Sequence, residues 1–463
     1  MASVPKQVDL GTEVEAKERD IFATKIGVVI ATLGSAVGLG NIWKFPYLTG
    51  VNGGAAFVII YMLSTLVVGL PVMIAEHAIG RKARADAIGT FNKLAPNTPW
   101  WLISGAGIVS AFFILAFYSE VAGWVFAYIL KGASGSILSS DPAVTSAAFG
   151  SLVSSPFQSL FWQWAVLAMV GAIIMKGVSK GIERVTKTLM PLLLAILILV
   201  CIRSVTLPGA GEGLSFLFKP DFSKVTWATV LTAMGLSFFK LSVGMGTMIT
   251  YGSYFRDDQN IPATATRIML SDLTVSILCG VAIFPAVFAF GFEPGAGPEL
   301  LFVTIPAVFN AMPLGRFLMP LFFVLAAIAA TGAMLSLYEV PVAFLVGTKG
   351  WDRKKATLVT LAALVVVGST AALSGSVLAD FKLMGMTMFD LFDWVTSVLL
   401  LPIGGLFVCL FVGWKWGADE IKNALSNGGQ LDNGAAVAAF TGVVKVVTPA
   451  LVLVVLLNGL GII

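Results

Sequence analysis

The chain has 463 residues, 57% of them hydrophobic and 12% charged, with 33 Phe, 11 Trp and a mean hydropathy of +0.93, a composition that excludes a soluble domain and makes the bilayer the solvent. The formal net charge of +4 is spread over short basic clusters between apolar runs, which excludes nucleic acid as a partner. The 3 cysteines, Cys201, Cys279 and Cys409, lie in apolar stretches without metal spacing and His77 has no second histidine, which sets aside a disulfide scaffold and zinc chemistry.

In chain order, residues 1–20 are polar and lack the apolar core of a signal peptide, so they read as a cytoplasmic tail. Beyond them, apolar windows predict about eleven spans, at ~24–47, ~54–79, ~101–130, ~161–178, ~185–204, ~227–255, ~262–291, ~317–346, ~356–374, ~385–413 and ~437–461. Basic residues gather after the second span (Arg81, Lys82, Arg84), the fourth (Lys176, Lys180, Arg184, Lys187) and the eighth (Lys349, Arg353, Lys354, Lys355). All of these loops share one side, which the positive-inside rule makes cytoplasmic. The opposite loops, such as Gly132 to Gln158, are poor in basic residues. The reading is a multi-pass protein of the plasma (inner) membrane with its N-terminus cytoplasmic and, from the odd span count, its C-terminus outside.

The first span is interrupted by Gly34-Ser35-Ala36-Val37-Gly38-Leu39-Gly40-Asn41. Glycines at Gly34, Gly38 and Gly40 weaken the helical ladder and leave backbone groups to be satisfied by other means. Lipid offers no partner, so a break at mid-depth is expected where protein or a cavity supplies one. The sixth span carries a second interruption, Leu241-Ser242-Val243-Gly244-Met245-Gly246, five spans after the first. An odd spacing makes the two broken helices enter from opposite sides, the pattern of an inverted-repeat transporter with a midplane site. Close helix packing by small residues is the plainer explanation for either cluster alone.

The residues that flank these breaks carry a resemblance. Ala36-Val37-Gly38-Leu39-Gly40-Asn41-Ile42-Trp43-Lys44-Phe45-Pro46, Asn52-Gly53-Gly54-Ala55-Ala56-Phe57, Gly69-Leu70-Pro71 with Glu76, and Thr250-Tyr251-Gly252-Ser253-Tyr254 are similar to the neurotransmitter:sodium symporter family, in particular to bacterial LeuT-like amino acid transporters. The resemblance implies an all-α integral membrane protein with the LeuT fold: two inverted five-helix repeats plus one extra helix, helices 1 and 6 broken at mid-membrane, and alternating access around a central site. The repeats are expected at 21–204 and 227–413, joined by an extracellular connection at 205–226 and followed by a cytoplasmic loop and helix 11 at 414–463.

By the same resemblance, the Leu39 and Gly40 amides and the Tyr118 hydroxyl hold a substrate carboxylate, as suits free amides at a half-helix N-terminus. Carbonyls of Ala36, Phe239 and Lys240, with Ser242, hold the amine. Monoamine transporters of the family place an Asp where this chain has Gly38, so Gly38 points to an amino acid. Ile114, Phe239, Met245 and Leu337, with Ala333, form an apolar wall suited to a neutral aliphatic or aromatic side chain.

Several positions depart from the family pattern. Lys240 stands where a Ser or Thr helps coordinate the first sodium ion, and Asp272 where an Asn does. Charges inside a membrane helix cost about 2.5–3.5 kcal/mol on insertion scales, so Lys240 and Asp272 are expected to pair, beside Asn41, and to replace that ion. The chloride-site positions read Tyr61, Leu236, Lys240 and Ser276, so that chloride is not needed and Asp272 supplies the fixed negative charge. At the second sodium site Gly332 and Ala333 replace the hydroxyl ligands, leaving carbonyls of Gly34, Val37 and Ala329, with Thr331 reachable by a one-residue slip. A hard cation takes about six oxygens, so those carbonyls need help. Sodium at that one site, proton coupling through the pair, and ion-independent transport all stay open, and so does a purely rigidifying role for the pair. No other cofactor is implied.

Lys44 and Asp393 match the outer gate, Arg19 the inner-gate arginine, and Tyr254 and Glu339 inner bracing positions. The usual acidic partner of Arg19 is Gly347 here, which leaves Asp352 as a candidate. A channel is disfavoured by the apolar pocket wall, and an enzyme by the lack of a converging nucleophile, base and metal set. A sensor that binds an amino acid without moving it shares every motif above. Composition does not fix the oligomeric state.

Overall fold

The computed structural model describes residues 20–137, 139–292 and 300–462, which are almost wholly helical. The first span is Lys25–Ala36 with Gly40–Val51, bent by 52° at the break. Ala55–Ala83, Trp101–Ser134, Pro156–Ile174 and Val178–Val205 are the second to fifth spans. The sixth is the interrupted pair Trp227–Lys240 and Thr247–Gly252. Ile261–Ala289, Gly315–Gly347, Arg353–Gly375, Met388–Trp416 and Gly434–Gly459 complete the set as the seventh to eleventh.

Two predicted extents are corrected. The fourth span begins at Pro156, where the Ser155 hydroxyl caps the helix by accepting from the Gln158 amide. The fifth begins at Val178 with a wide turn that includes Lys180, Glu183 and Arg184. The fourth also ends earlier than expected, at Ile174 rather than ~178. Hydropathy windows trim both starts because polar side chains in a first turn lower the average even when the backbone is helical. Five short helices also escaped the windows: Ala87–Leu94, Pro142–Val153, Ala210–Phe218, Leu300–Ala311 and Ala418–Leu425. Each is too short to register against a span of about 20 residues.

The core sits where the third and eighth spans pack along each other, with the first span laid against the eighth. Small residues set that approach. A Cβ on Gly332 of the eighth span would lie 2.5 Å from the Gly34 carbonyl oxygen of the first. At the sixth-span break, Gly244 has φ +81° and a Cβ there would lie 2.4 Å from the Leu401 carbonyl. From the tenth span, Gly404 faces the same break, its Cβ position 2.0 Å from the Gly244 carbonyl.

These contacts separate packing glycines from spare ones. Gly404→Val is expected to lower the unfolding midpoint in detergent, by overpacking worth about 1–3 kcal/mol. Gly442, with nothing within 4 Å of a Cβ, should tolerate Ala, with a gain of about 0.5–1 kcal/mol from the stiffer helix. Equal midpoint losses in the two variants would contradict this account.

Candidate substrate and ion site

Both breaks free backbone groups, and side chains take up several of them. In the first span the helix ends at Ala36, and Asn41 turns its side-chain oxygen back onto the Gly38 amide at 3.2 Å. The Leu39 amide donates to the Tyr118 hydroxyl at 2.9 Å. That leaves the phenolic proton free to be given to an anion. Gly38 admits this approach because a Cβ there would already lie 3.0 Å from the Tyr118 oxygen and 3.1 Å from the Ala333 Cβ. In the sixth span the helix stops at Lys240, and Ser242 takes φ +53° and donates its hydroxyl to the Ser35 carbonyl at 3.0 Å. The Gly244 amide is met by the fully buried Glu76 carboxylate at 2.7 Å.

The two breaks enclose one cavity of about 30 Å³, lined by Ser35, Ala36, Gly38, Gly40, Ile114, Tyr118, Phe239, Lys240, Ser242, Met245, Ala333 and Leu337. Of the residues named from the sequence for the substrate, Leu39 is not in the lining and acts through its amide on Tyr118. Ser35 is there without having been singled out, and its hydroxyl donates to Ser336 at 2.8 Å, which donates in turn to the Ala333 carbonyl. That is room for water rather than for a larger solute.

Behind the cavity the charges named from the sequence meet. Lys240 Nζ lies 3.1 Å from Asp272 Oδ2, and both side chains are fully buried. The ammonium also donates to the Ser276 hydroxyl, and the Phe45 and Tyr61 rings face it with centroids at 5.4 and 5.3 Å. Asp272 accepts from Asn41 Nδ2 at 2.7 Å on one oxygen and from Tyr61 Oη at 3.3 Å on the other. Ser276 donates to the Asp272 carbonyl and accepts from Asn41 at 3.1 Å. Leu236 is buried among apolar side chains. A buried ion pair offsets its desolvation only when the spare hydrogen-bonding capacity is also filled, and the Asp272 carboxylate has that.

At the second-site positions, Val37 and Ala329 are buried and the Gly34 carbonyl points at Gly332, at a spacing that leaves no room for a hydroxyl side chain there. Thr331 donates its hydroxyl to the Ala327 carbonyl at 2.8 Å within its own helix. Ala333 faces the substrate cavity.

The positions named for the outer gate make few contacts: Lys44 Nζ sits 4.2 Å above the centre of the Phe239 ring and 3.9 Å from Asp393. Those named for the inner side carry more bonds. Tyr254 Oη donates to Glu339 at 2.7 Å, and Arg353 binds the other Glu339 oxygen at 2.5 Å and Asp20 at 3.5 Å. Glu183 accepts from the Ala23 amide at 2.6 Å and from Thr24 and Lys187. The hydrogen bond from Lys25 holds the Asp258 carboxyl below its ordinary range, with Arg256 adding to it. Arg19 lies outside the described residues, and the Asp352 carboxylate caps the ninth span by accepting from the Lys354 amide at 2.9 Å. Arg353 was read from the sequence only as part of a basic loop, and Glu183 was not singled out.

A model of the sodium:neurotransmitter symporter family matches residues 19–138 and 154–462. An uncharacterized sodium-dependent transporter, YhdH, of Bacillus subtilis is 40% identical, covering 95% of this chain and 98% of its own. An uncharacterized sodium-dependent transporter of Haemophilus influenzae is 35% identical over 96% and 99%. Among solved structures, the crystal structure of MhsT in complex with L-phenylalanine superposes with a TM-score of 0.88 at 39% identity, over 95% of this chain and 100% of that one. With nine helices long and apolar enough to cross a membrane among the described residues, a tenth span in the bent first pair, and a second broken helix facing it, the chain belongs to the sodium:neurotransmitter symporter family and has the LeuT fold.

Proposed function

We propose that this chain moves a neutral, hydrophobic amino acid across the membrane by alternating access, with Lys240 and Asp272 standing in for the first coupling ion. The observation that carries the substrate reading is the cavity between the two breaks. The Tyr118 hydroxyl, which accepts from the Leu39 amide, offers its proton to a carboxylate, while Ala36 and the end of Trp227–Lys240 present the negative ends of half helices to an ammonium. Ile114, Phe239, Met245, Ala333 and Leu337 suit an apolar side chain. A complex of MhsT with L-phenylalanine supports the same class of ligand.

The coupling reading rests on charge. An ammonium 3.1 Å from Asp272 fills the volume where a mobile cation would bind, and a second positive charge there is repelled at low dielectric. Sodium coupling then falls to the carbonyls of Gly34, Val37 and Ala329, and the names of the sodium-dependent relatives support it. Proton coupling is the second reading, favoured by the complete burial of the Lys240–Asp272 pair. In the same frame the repeats run over 21–204 and 227–413, the basic loops and Arg19 face the cytoplasm, and the C-terminus lies outside.

In proteoliposomes, phenylalanine uptake by the wild type should accelerate under an inward sodium gradient with a Hill coefficient near one, rising toward two in Lys240→Thr/Asp272→Asn. A wild-type coefficient near two overturns the stand-in role of Lys240. Acceleration by a proton gradient alone selects the second reading, and saturable binding without accumulation identifies a sensor. Tyr118→Phe is expected to raise the KM for phenylalanine about tenfold or more, the worth of one hydrogen bond to a charged group. Lys240→Met strands a buried carboxylate and should cost about 3–5 kcal/mol of stability, which Lys240→Met/Asp272→Leu largely restores. A double variant as unstable as the single one would show that the pair is not the stabilising unit.

A further inference from the structure

The turn between the fourth and fifth spans carries a basic cleft that transport does not use. Lys176, Lys180 and Arg184 line a cavity of about 660 Å³ with Val185, Thr188 and Leu189, and no carboxylate lines it. All three cations are exposed, and none makes an ion pair among the described residues. The nearby acids are committed elsewhere: Glu183 to Ala23, Thr24 and Lys187, and Asp20 to Arg353. Lys82 and Arg84, also in a basic loop of this side, are paired, with Glu420 and Asp257. Three unneutralised charges around one concavity repel each other, which an anion relieves.

The chemistry of the surroundings says which anion. Lys180, Arg184 and Thr188 follow one another at helical spacing and are exposed, and the same face continues into the membrane as Leu192, 46% exposed, and Leu199, 47% exposed. The cleft therefore has cations at the membrane boundary, apolar side chains in Val185 and Leu189 beside them, and an apolar stripe leading away into the hydrocarbon. A free phosphate uses only the first of these. A phosphodiester headgroup with its acyl chain uses all of them.

We propose that this cleft holds the headgroup of an anionic phospholipid, with an acyl chain along Leu192 and Leu199. The bound lipid braces the turn whose next residue, Glu183, fastens Ala23 and Thr24 at the inner end of the broken first span. The competing occupant is the chain's own N-terminal segment, which carries Asp9, Glu13, Glu15 and Glu18. It matches the charges but not the apolar stripe.

Native mass spectrometry of the full-length chain, titrated with phosphatidylglycerol and with phosphatidylcholine, tests this. One phosphatidylglycerol should bind preferentially, and Lys176→Gln/Lys180→Gln/Arg184→Gln should weaken it about a hundredfold, at roughly fivefold per cation near an anionic surface. The charge-preserving Lys176→Arg/Lys180→Arg/Arg184→Lys should keep it, and unchanged phenylalanine binding in all three proteins controls for folding. Equal binding of the two lipids, or undiminished phosphatidylglycerol binding in the glutamine variant, overturns the proposal. Phosphatidylglycerol binding that emerges only after residues 1–19 are removed assigns the cleft to the N-terminal segment instead.

Discussion

A helix broken inside a membrane leaves amides and carbonyls that lipid cannot satisfy, and the centre of this protein is arranged around meeting that demand. Asn41 takes the Gly38 amide, Tyr118 the Leu39 amide, Glu76 the Gly244 amide and Ser242 the Ser35 carbonyl. Each of these bonds comes from a side chain on a different turn or span, so the breaks hold their shape only while the second, third and sixth spans stay docked. The substrate cavity is the remainder of the same arrangement. It is the place where backbone polarity is left for a ligand rather than spent on the protein.

The Lys240–Asp272 pair follows from the same constraint applied to whole charges. Asp272 gathers Lys240, Asn41 and Tyr61 around one carboxylate, and Asn41 also reaches back to the Gly38 amide at the break. The fixed pair is thus joined to the cavity both directly, through Lys240 in its lining, and through Asn41 at the break. A mobile ion in that position would couple its own binding to the shape of the break. In the function proposed above, a tethered ammonium keeps the shape and removes the exchange, which turns attention to the Gly34, Val37 and Ala329 carbonyls. There the close approach of Gly34 to Gly332 leaves the two spans nearer than a hydroxyl ligand would permit.

Two charged clusters away from the pair differ in kind. At Lys44 one ammonium lies over one aromatic ring, with a half-exposed carboxylate beyond hydrogen-bond range. Around Glu339, by contrast, Arg353, Tyr254 and Asp20 form a chain of contacts, and Glu183 secures the start of the first span. Exposed ion pairs contribute little and partly buried charge-assisted bonds contribute more.

Much of this was legible in the chain. Glycine clusters at Gly34–Gly40 and Gly244–Gly246 located the breaks because helix propensity is local, and an intramembrane lysine and aspartate announced a partner because an isolated charge in hydrocarbon is too costly. Span number followed from hydropathy for the same local reason. What the tertiary structure decided was which groups meet: that Ser35 rather than Leu39 lines the cavity, that Glu76 reaches across to Gly244, that Thr331 turns back on its own helix, that Arg353 meets Glu339 and that Glu183 meets the Ala23 amide. Those outcomes depend on rotations and close approaches between spans far apart in sequence, set by the packing of small residues at helix crossings, and no local pattern encodes them.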